Sequence, residues 1–282
     1  MNIIELYENS GIYRENVTEF TFDDTAKVQK QFEIERTHNP NLSPSLQQDL
    51  IKVMNEFPKE LLFISSNRIL YNFFAKTNHS RNRFSSDNSI SVTNDAVKSF
   101  ISTFLSADLD TFFEEKIAQN RFDDVEDFLA VKDYLPETSL NTLSQFIDDK
   151  FDAVLNTITN NPSQESTLSF NFIKHRSFYD LLSHFRSSKN DERIRTLLNT
   201  MTSTLVDFNI KSVFLNPMMI AMGNYKAVDN DLASTLKFNK DQTLANSQKI
   251  GSSSSSALST GGTIVLIILV IRIILLMIRC SS

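Results

Sequence analysis

Residues 95–120, DAVKSFISTFLSADLDTFFEEKIAQN, decide the fold class. Val97, Phe100, Ile101, Phe104, Leu105, Leu109, Phe112, Phe113 and Ile117 keep steps of three and four along this stretch. That spacing lines one face of an α-helix, whereas a half-buried strand would alternate. Thr93 or Asn94 supplies the N-cap oxygen. The reading is one long amphipathic helix.

The same period runs outward in both directions. Toward the C-terminus, Asp123 opens a short helix with Val125, Phe128, Leu129 and Val131, which Pro136 stops. Thr138 or Ser139 starts another that closes near Asn161-Pro162. Helices over residues 167–186 and 191–208 follow, then a shorter apolar turn over 213–222 that Pro217 kinks or caps. Residues 232–244 form a weaker last helix. Toward the N-terminus, residues 59–76 after Pro58 read as one mostly apolar core helix. Before it, Ser43 as N-cap and Pro44 at the first helical position open a helix with Leu46, Leu50, Ile51, Val53, Met54 and Phe57. Asp23 or Asp24 caps a helix reaching about Arg36, and residues 1–9 suit a short helix. Residues 16–22 alternate enough for a strand or an extended arm.

Residues 77–93 lose the period and turn polar, as a mobile loop or a subdomain break would. No fixed repeat survives counting. Gly (5) and Pro (6) are too scarce for an all-β sandwich or a Gly-rich nucleotide-binding fold. The expected architecture is therefore all-α, a multi-helix bundle or short helical array over residues 1–249.

A Gly/Ser-rich linker, residues 250–262, leads to a different kind of segment. Residues 263–278, TIVLIILVIRIILLMI, are apolar at every position except Thr263 and Arg272. A span needs roughly 20 apolar residues for a ~30 Å hydrocarbon core. Sixteen residues cover only about 24 Å at ~1.5 Å each, a shortfall that upstream neutral residues and local thinning make up. Arg272 costs ~2.5–3.5 kcal/mol at a helix centre. The Ile, Leu and Val residues around it each return ~0.3–0.6 kcal/mol, so the sum favours insertion. A core helix would rarely follow such a linker, and a buried strand would be shorter. Residues 263–279 are read as a C-terminal transmembrane anchor contacting lipid through Ile264, Leu266, Ile268, Ile274, Leu276 and Ile278. Arg272 either snorkels or touches a partner helix. With no secretory signal at residues 1–11, the body is expected on the cytosolic face of a single-pass, tail-anchored membrane protein.

The net charge of −6 becomes −8 without Arg272 and Arg279, which argues against nucleic acid as a partner. Charge is segregated along the chain. Residues 108–152 hold thirteen Asp/Glu against four Lys/Arg, residues 59–83 five basic against one acidic, and residues 174–195 six against three. Such blocks are solvated helix faces or a bipolar surface suited to a protein partner.

Catalytic and cofactor motifs are missing. His38, His79, His175 and His184 include no pair at i, i+4, and Cys280 is the sole cysteine, so zinc sites of Cys/His type are excluded. His175 and His184 are expected on one helix, pointing to different sides. The doublets Glu114-Glu115, Asp123-Asp124, Glu126-Asp127 and Asp148-Asp149 diverge by ~100° on a helix. Neither a phosphate-binding Gly loop nor a nucleophile elbow occurs. Met218, Met219 and Met222 read as core filler, or less readily as an adaptable binding groove. No cofactor is expected. The functional expectation is a non-enzymatic scaffold or adaptor that holds a protein partner at the membrane face. The alternative is a membrane-localised enzyme whose site is assembled from scattered helix residues, and a pocket containing converging carboxylates, His175 or His184 would favour it.

Overall fold

A computed structural model describes residues 1–12, 19–81, 84, 90–160, 168, 170–205 and 211–252. Among them every regular element is helical, as the 3–4 periodicity requires. Of residues 16–22, read as a strand or arm, 16–18 lie outside the described residues, whereas Thr21 is the N-cap and Phe22 the first residue of a helix rather than part of a strand. The linker and anchor from residue 253 onward also lie outside the described residues.

Three helices expected to be continuous are interrupted. The stretch 95–120 forms α6 (Asn94–Phe104) and α7 (Ser106–Ala118), with Leu105 between them at φ −135° and ψ 0°. Thr103 donates its hydroxyl to the Ser99 carbonyl at 2.8 Å, a back-bond that bends helices, and Leu105 turns inward to full burial. The helix expected after Pro58 is split into α4 (Pro58–Ser66) and α5 (Arg68–Phe74). Asn67 leaves the helix, and its side-chain oxygen accepts from the amides of Ile69 and Leu70, both at 3.1 Å. Asparagine competes with helix interiors and favours caps for this reason. In the stretch 167–186, a 3₁₀ turn (Asn171–Lys174) gives way at His175, which is extended, to α10 (Arg176–Ser183).

Cap positions also move. Thr21, not Asp23 or Asp24, caps α2 (Phe22–His38), and Asp24 returns a bond to the Thr21 amide at 3.0 Å. The helix α3 (Ser45–Glu56) starts after Pro44 with no side-chain cap on its first turn. Ser43 instead accepts from the Ser45 amide at 3.3 Å.

The described residues divide into two compact units. Unit 1 comprises Met1–Glu115 and Asp127–Ser144, and unit 2 Lys116–Glu126 and Gln145–Ser282.

In unit 1, α1 (Ile3–Asn9) packs on α2, α3 and α5, while α4 packs on α3, α5 and α6. Asn2 fixes the entry. Its oxygen accepts from Ile4 and Glu5, its own amide donates to Glu5, and its side-chain nitrogen donates to the Phe74 carbonyl at 2.9 Å. One side chain thus satisfies orphan groups at two helix ends, each worth about 1 kcal/mol. Phe73, Phe112 and Phe128 form an aromatic cluster with centroids 4.4–5.5 Å apart.

In unit 2, Phe178 is fully buried and packs its ring on Phe122, Phe151 and Phe172 at 5.2–5.5 Å. The Tyr179 hydroxyl donates to the Ile173 carbonyl at 2.8 Å, and burial pushes its pKa up. The helix α11 (Ser188–Thr204) carries two buried charges. Asp191, 1% exposed, accepts from the Tyr225 hydroxyl (2.7 Å), the Asp229 amide (2.7 Å) and the Val228 amide (3.3 Å). It thereby pins the loop that leads into the last helix. Arg193 donates to Asp152, to Asp148 (2.5 Å) and to Asn190 (2.9 Å). Burial works against its charge, but the bonds to Asp152 and Asp148 outweigh it and raise its pKa.

Two carboxylates in unit 2, Asp124 and Asp229, are shifted in the direction that makes stability fall in acid. Burial opposes charge on Asp124, yet Lys116 (2.6 Å) and Arg121 (2.7 Å) prevail and lower its pKa. The Leu232 amide and then Arg195 lower that of Asp229. A folded pKa below the unfolded one gives stability that is present above the unfolded value, about 3.9. It is lost as pH falls through the lowered values. The urea midpoint should therefore drop below about pH 4, and Asp124→Asn should flatten that drop.

Candidate functional site

The residues expected to touch lipid, Ile264, Leu266, Ile268, Arg272, Ile274, Leu276 and Ile278, all lie outside the described residues. Among the described residues no helix is long and apolar enough to cross a membrane. The candidate surfaces are therefore on the helical units.

Unit 1 carries two clefts of about 510 Å³ each that share Asp108. The first is lined by the adjacent rings of Phe73 and Phe112 together with Lys76, Asp108 and Glu115. The α7 residues Asp108, Thr111, Phe112 and Glu115 follow the i, i+3, i+4, i+7 spacing of one helix face. The second cleft has Ile3, Leu42, Leu46 and Phe104 among its apolar lining and Met1, Asp49 and Lys52 among its charged residues.

Electrostatics separates the charges lining these clefts. Lys76 is engaged by Glu5 at 3.1 Å and Lys52 by Glu56 at 3.9 Å. Asp49, Asp108 and Glu115 have no ion-pair partner among the described residues. The cleft at Phe73 and Phe112 thus sets two carboxylates against one lysine beside an aromatic wall, while in the second the Met1 ammonium and Lys52 balance Asp49 and Asp108.

Unit 2 has a smaller polar cleft of about 320 Å³, which Glu126, Asp180, Ser183 and His184 help to line. This meets the stated condition for an enzyme in part, since His184 and two carboxylates share one cleft. Their partners restrict the chemistry. Asp180 is held by the Arg176 Nε at 2.7 Å. The Ser183 hydroxyl donates to the Tyr179 carbonyl (2.7 Å) and accepts from the Lys226 amide (2.9 Å), so it is tied as a structural bridge.

The other histidines take end positions or pair locally. A ring nitrogen of His38 lies 3.0 Å from the Ile34 carbonyl in the last turn of α2. His175 stands before α10 and His184 at its end, not together on one helix. The His79 Nε2 lies 2.7 Å from Glu8, which also accepts from the Tyr71 hydroxyl. Sequence reasoning missed this pairing, as it missed Phe73 beside Phe112, because the partners are far apart in the chain and on different elements. Among the described residues no three His, Cys, Asp or Glu side chains are grouped to hold a metal ion. Met218, Met219 and Met222 are buried.

No protein-family model, no characterised protein and no solved structure matches this chain.

Proposed function

We propose that the protein is a membrane-tethered helical adaptor that holds a partner protein through the acidic, aromatic-walled cleft of unit 1 at Phe73 and Phe112. The tether is the apolar segment 263–278, reached through the Gly/Ser linker 250–262. The observation that carries the partner half is the pairing state around Asp108. Lys76 is paired with Glu5 at 3.1 Å, while among the described residues Asp108 and Glu115 in the same cleft have no ion-pair partner and are open to an incoming cation. The body faces the cytosol, so the exposed Asn78 in Asn-His-Ser carries no glycan.

The second reading, an enzyme using the Glu126–Asp180–His184 cleft, is favoured by the convergence of those groups. It is disfavoured by the commitments of Asp180 and Ser183. One experiment separates the two. A photo-cross-linking residue at the exposed Thr111, in the full chain in membranes, should give one discrete adduct. Asp108→Lys with Glu115→Lys should abolish it. An adduct indifferent to charge reversal, or none while His184→Gln removes cellular function, would turn the conclusion to the enzyme.

A further inference from the structure

Helix α13 (Asn230–Ser252) packs on α12 (Asn216–Met222), and the match between them is poor in a specific way. The α12 side offers Met218, Met219 and Met222, following buried Phe214 and Leu215. On α13, Leu232 and Leu236 are buried, but so are Thr235, Asn239 and Thr243, the last against the Met219 sulfur. The two threonine hydroxyls are satisfied by their own helix, donating to Asp231 (2.8 Å) and Asn239 (2.7 Å) carbonyls. Asn239 has no such escape. Both its side-chain oxygen and nitrogen are buried without a partner among the described residues, as is the Asn246 nitrogen. Meanwhile Phe238 and Leu244 on the same helix are exposed. Beyond Leu236 the buried positions are the polar Asn239 and Thr243, while Phe238 and Leu244 lie outside among Lys237, Asp241 and Gln242.

The two ends of α13 are held differently. Its start is fastened: Asp229 caps it through the Leu232 amide (2.8 Å) and is paired with Arg195 (2.9 Å). Past Leu236, the side-chain bonds to other elements among the described residues are the Lys240 ammonium to Asn224 (2.7 Å) and a weak contact of Thr243 with the Met219 sulfur (3.9 Å). Methionine surfaces repack readily around different helices.

We infer that the methionine face of α12 is a helix-docking surface that α13 occupies as a weak placeholder. The partner it fits is an amphipathic helix with leucine-class side chains at the three positions now filled by Thr235, Asn239 and Thr243. The spacing i, i+4, i+8 keeps these on one face. Such a helix uses the same bed and leaves no orphaned amide. This inference stands on α12 and α13 alone and is independent of the clefts of unit 1.

Two substitutions move the placeholder in opposite directions. Asn239→Leu removes the orphaned atoms and seats α13 more firmly. A Cβ on Gly223 would lie 2.6 Å from the Lys240 Cβ and 3.1 Å from the Leu236 carbonyl oxygen, so Gly223→Ala pushes α13 away without touching a methionine.

The probe is a synthetic peptide of residues 230–247 carrying Thr235→Leu, Asn239→Leu and Thr243→Leu, added to the full chain in detergent. It should bind and strip hydrogen-exchange protection from residues 237–247 while α11 keeps its own. Asn239→Leu in the chain should weaken that binding about tenfold or more, and Gly223→Ala should strengthen it. Should residues 237–247 exchange as slowly as α11 and the peptide fail to displace them, the inference is wrong. Affinity that ignores Asn239→Leu would overturn it equally, even where Gly223→Ala does not fold.

Discussion

Asp148→Ala combined with Asp152→Ala should destabilise the protein by about 3–5 kcal/mol, whereas Arg193→Met should cost no more than about 2. The asymmetry comes from burial. The Arg193 side chain is only 6% exposed, against 20% for Asp148 and 47% for Asp152. When the guanidinium is removed, the two carboxylates turn toward water, and a methionine of similar length fills the space. With both carboxylates removed, a cation remains in a poorly solvated place with only the Asn190 carbonyl as acceptor, at 2.9 Å. Buried pairs behave this way generally, since breaking one from the wrong side leaves an uncompensated charge. Urea midpoints of the three proteins, followed by far-ultraviolet circular dichroism, read the difference. Equal losses for both changes would show that Arg193 is hydrated and the network ornamental.

Arg272→Leu should shift the insertion equilibrium of residues 263–278 toward the bilayer by roughly 70- to 400-fold, the factor that corresponds to ~2.5–3.5 kcal/mol. Replacing Arg272 by Asp should leave the segment poorly inserted, because a carboxylate has no long apolar stem on which to snorkel. The native sequence should lie between these. Extraction at alkaline pH ranks the three. A further readout separates two roles for the arginine. Arg272→Leu leaves partner capture unchanged where Arg272 only snorkels, and weakens it where Arg272 contacts a partner helix in the bilayer.

What was legible in the sequence was what periodicity alone determines. The stripe Leu140, Leu143, Ile147, Phe151, Val154 and Ile158 is buried along α9 (Glu137–Asn160), as steps of three and four require. The ends of helices were less so. Leu105, Asn67 and His175 each break a run whose hydrophobic pattern continues unbroken across them. At Asn67 a local side-chain bond and at Leu105 inward packing set a single residue's dihedrals, which a hydrophobic period does not encode; for the break at His175 the structure offers no such cause.

The candidate clefts divide along the same line. Asp108, Thr111, Phe112 and Glu115 share a face that helical spacing alone predicts. Lys76 and Phe73 arrive from another element, and the engagement of Lys76 by Glu5 depends on a third. The acidic excess over residues 108–152 was visible as a charge block, but which of its carboxylates lack a cation partner was not. Residues 263–278 are the reverse case, legible from composition and outside the described residues.

The central claim is that residues 263–278 hold the helical body at a membrane. Fractionation of cells expressing the full chain, beside a chain ending at Lys249, tests it most directly. The account predicts that the full chain pellets with membranes and resists both high salt and alkaline extraction, while the shorter chain is recovered in the supernatant. A full-length protein found in the supernatant as a monodisperse monomer would contradict it.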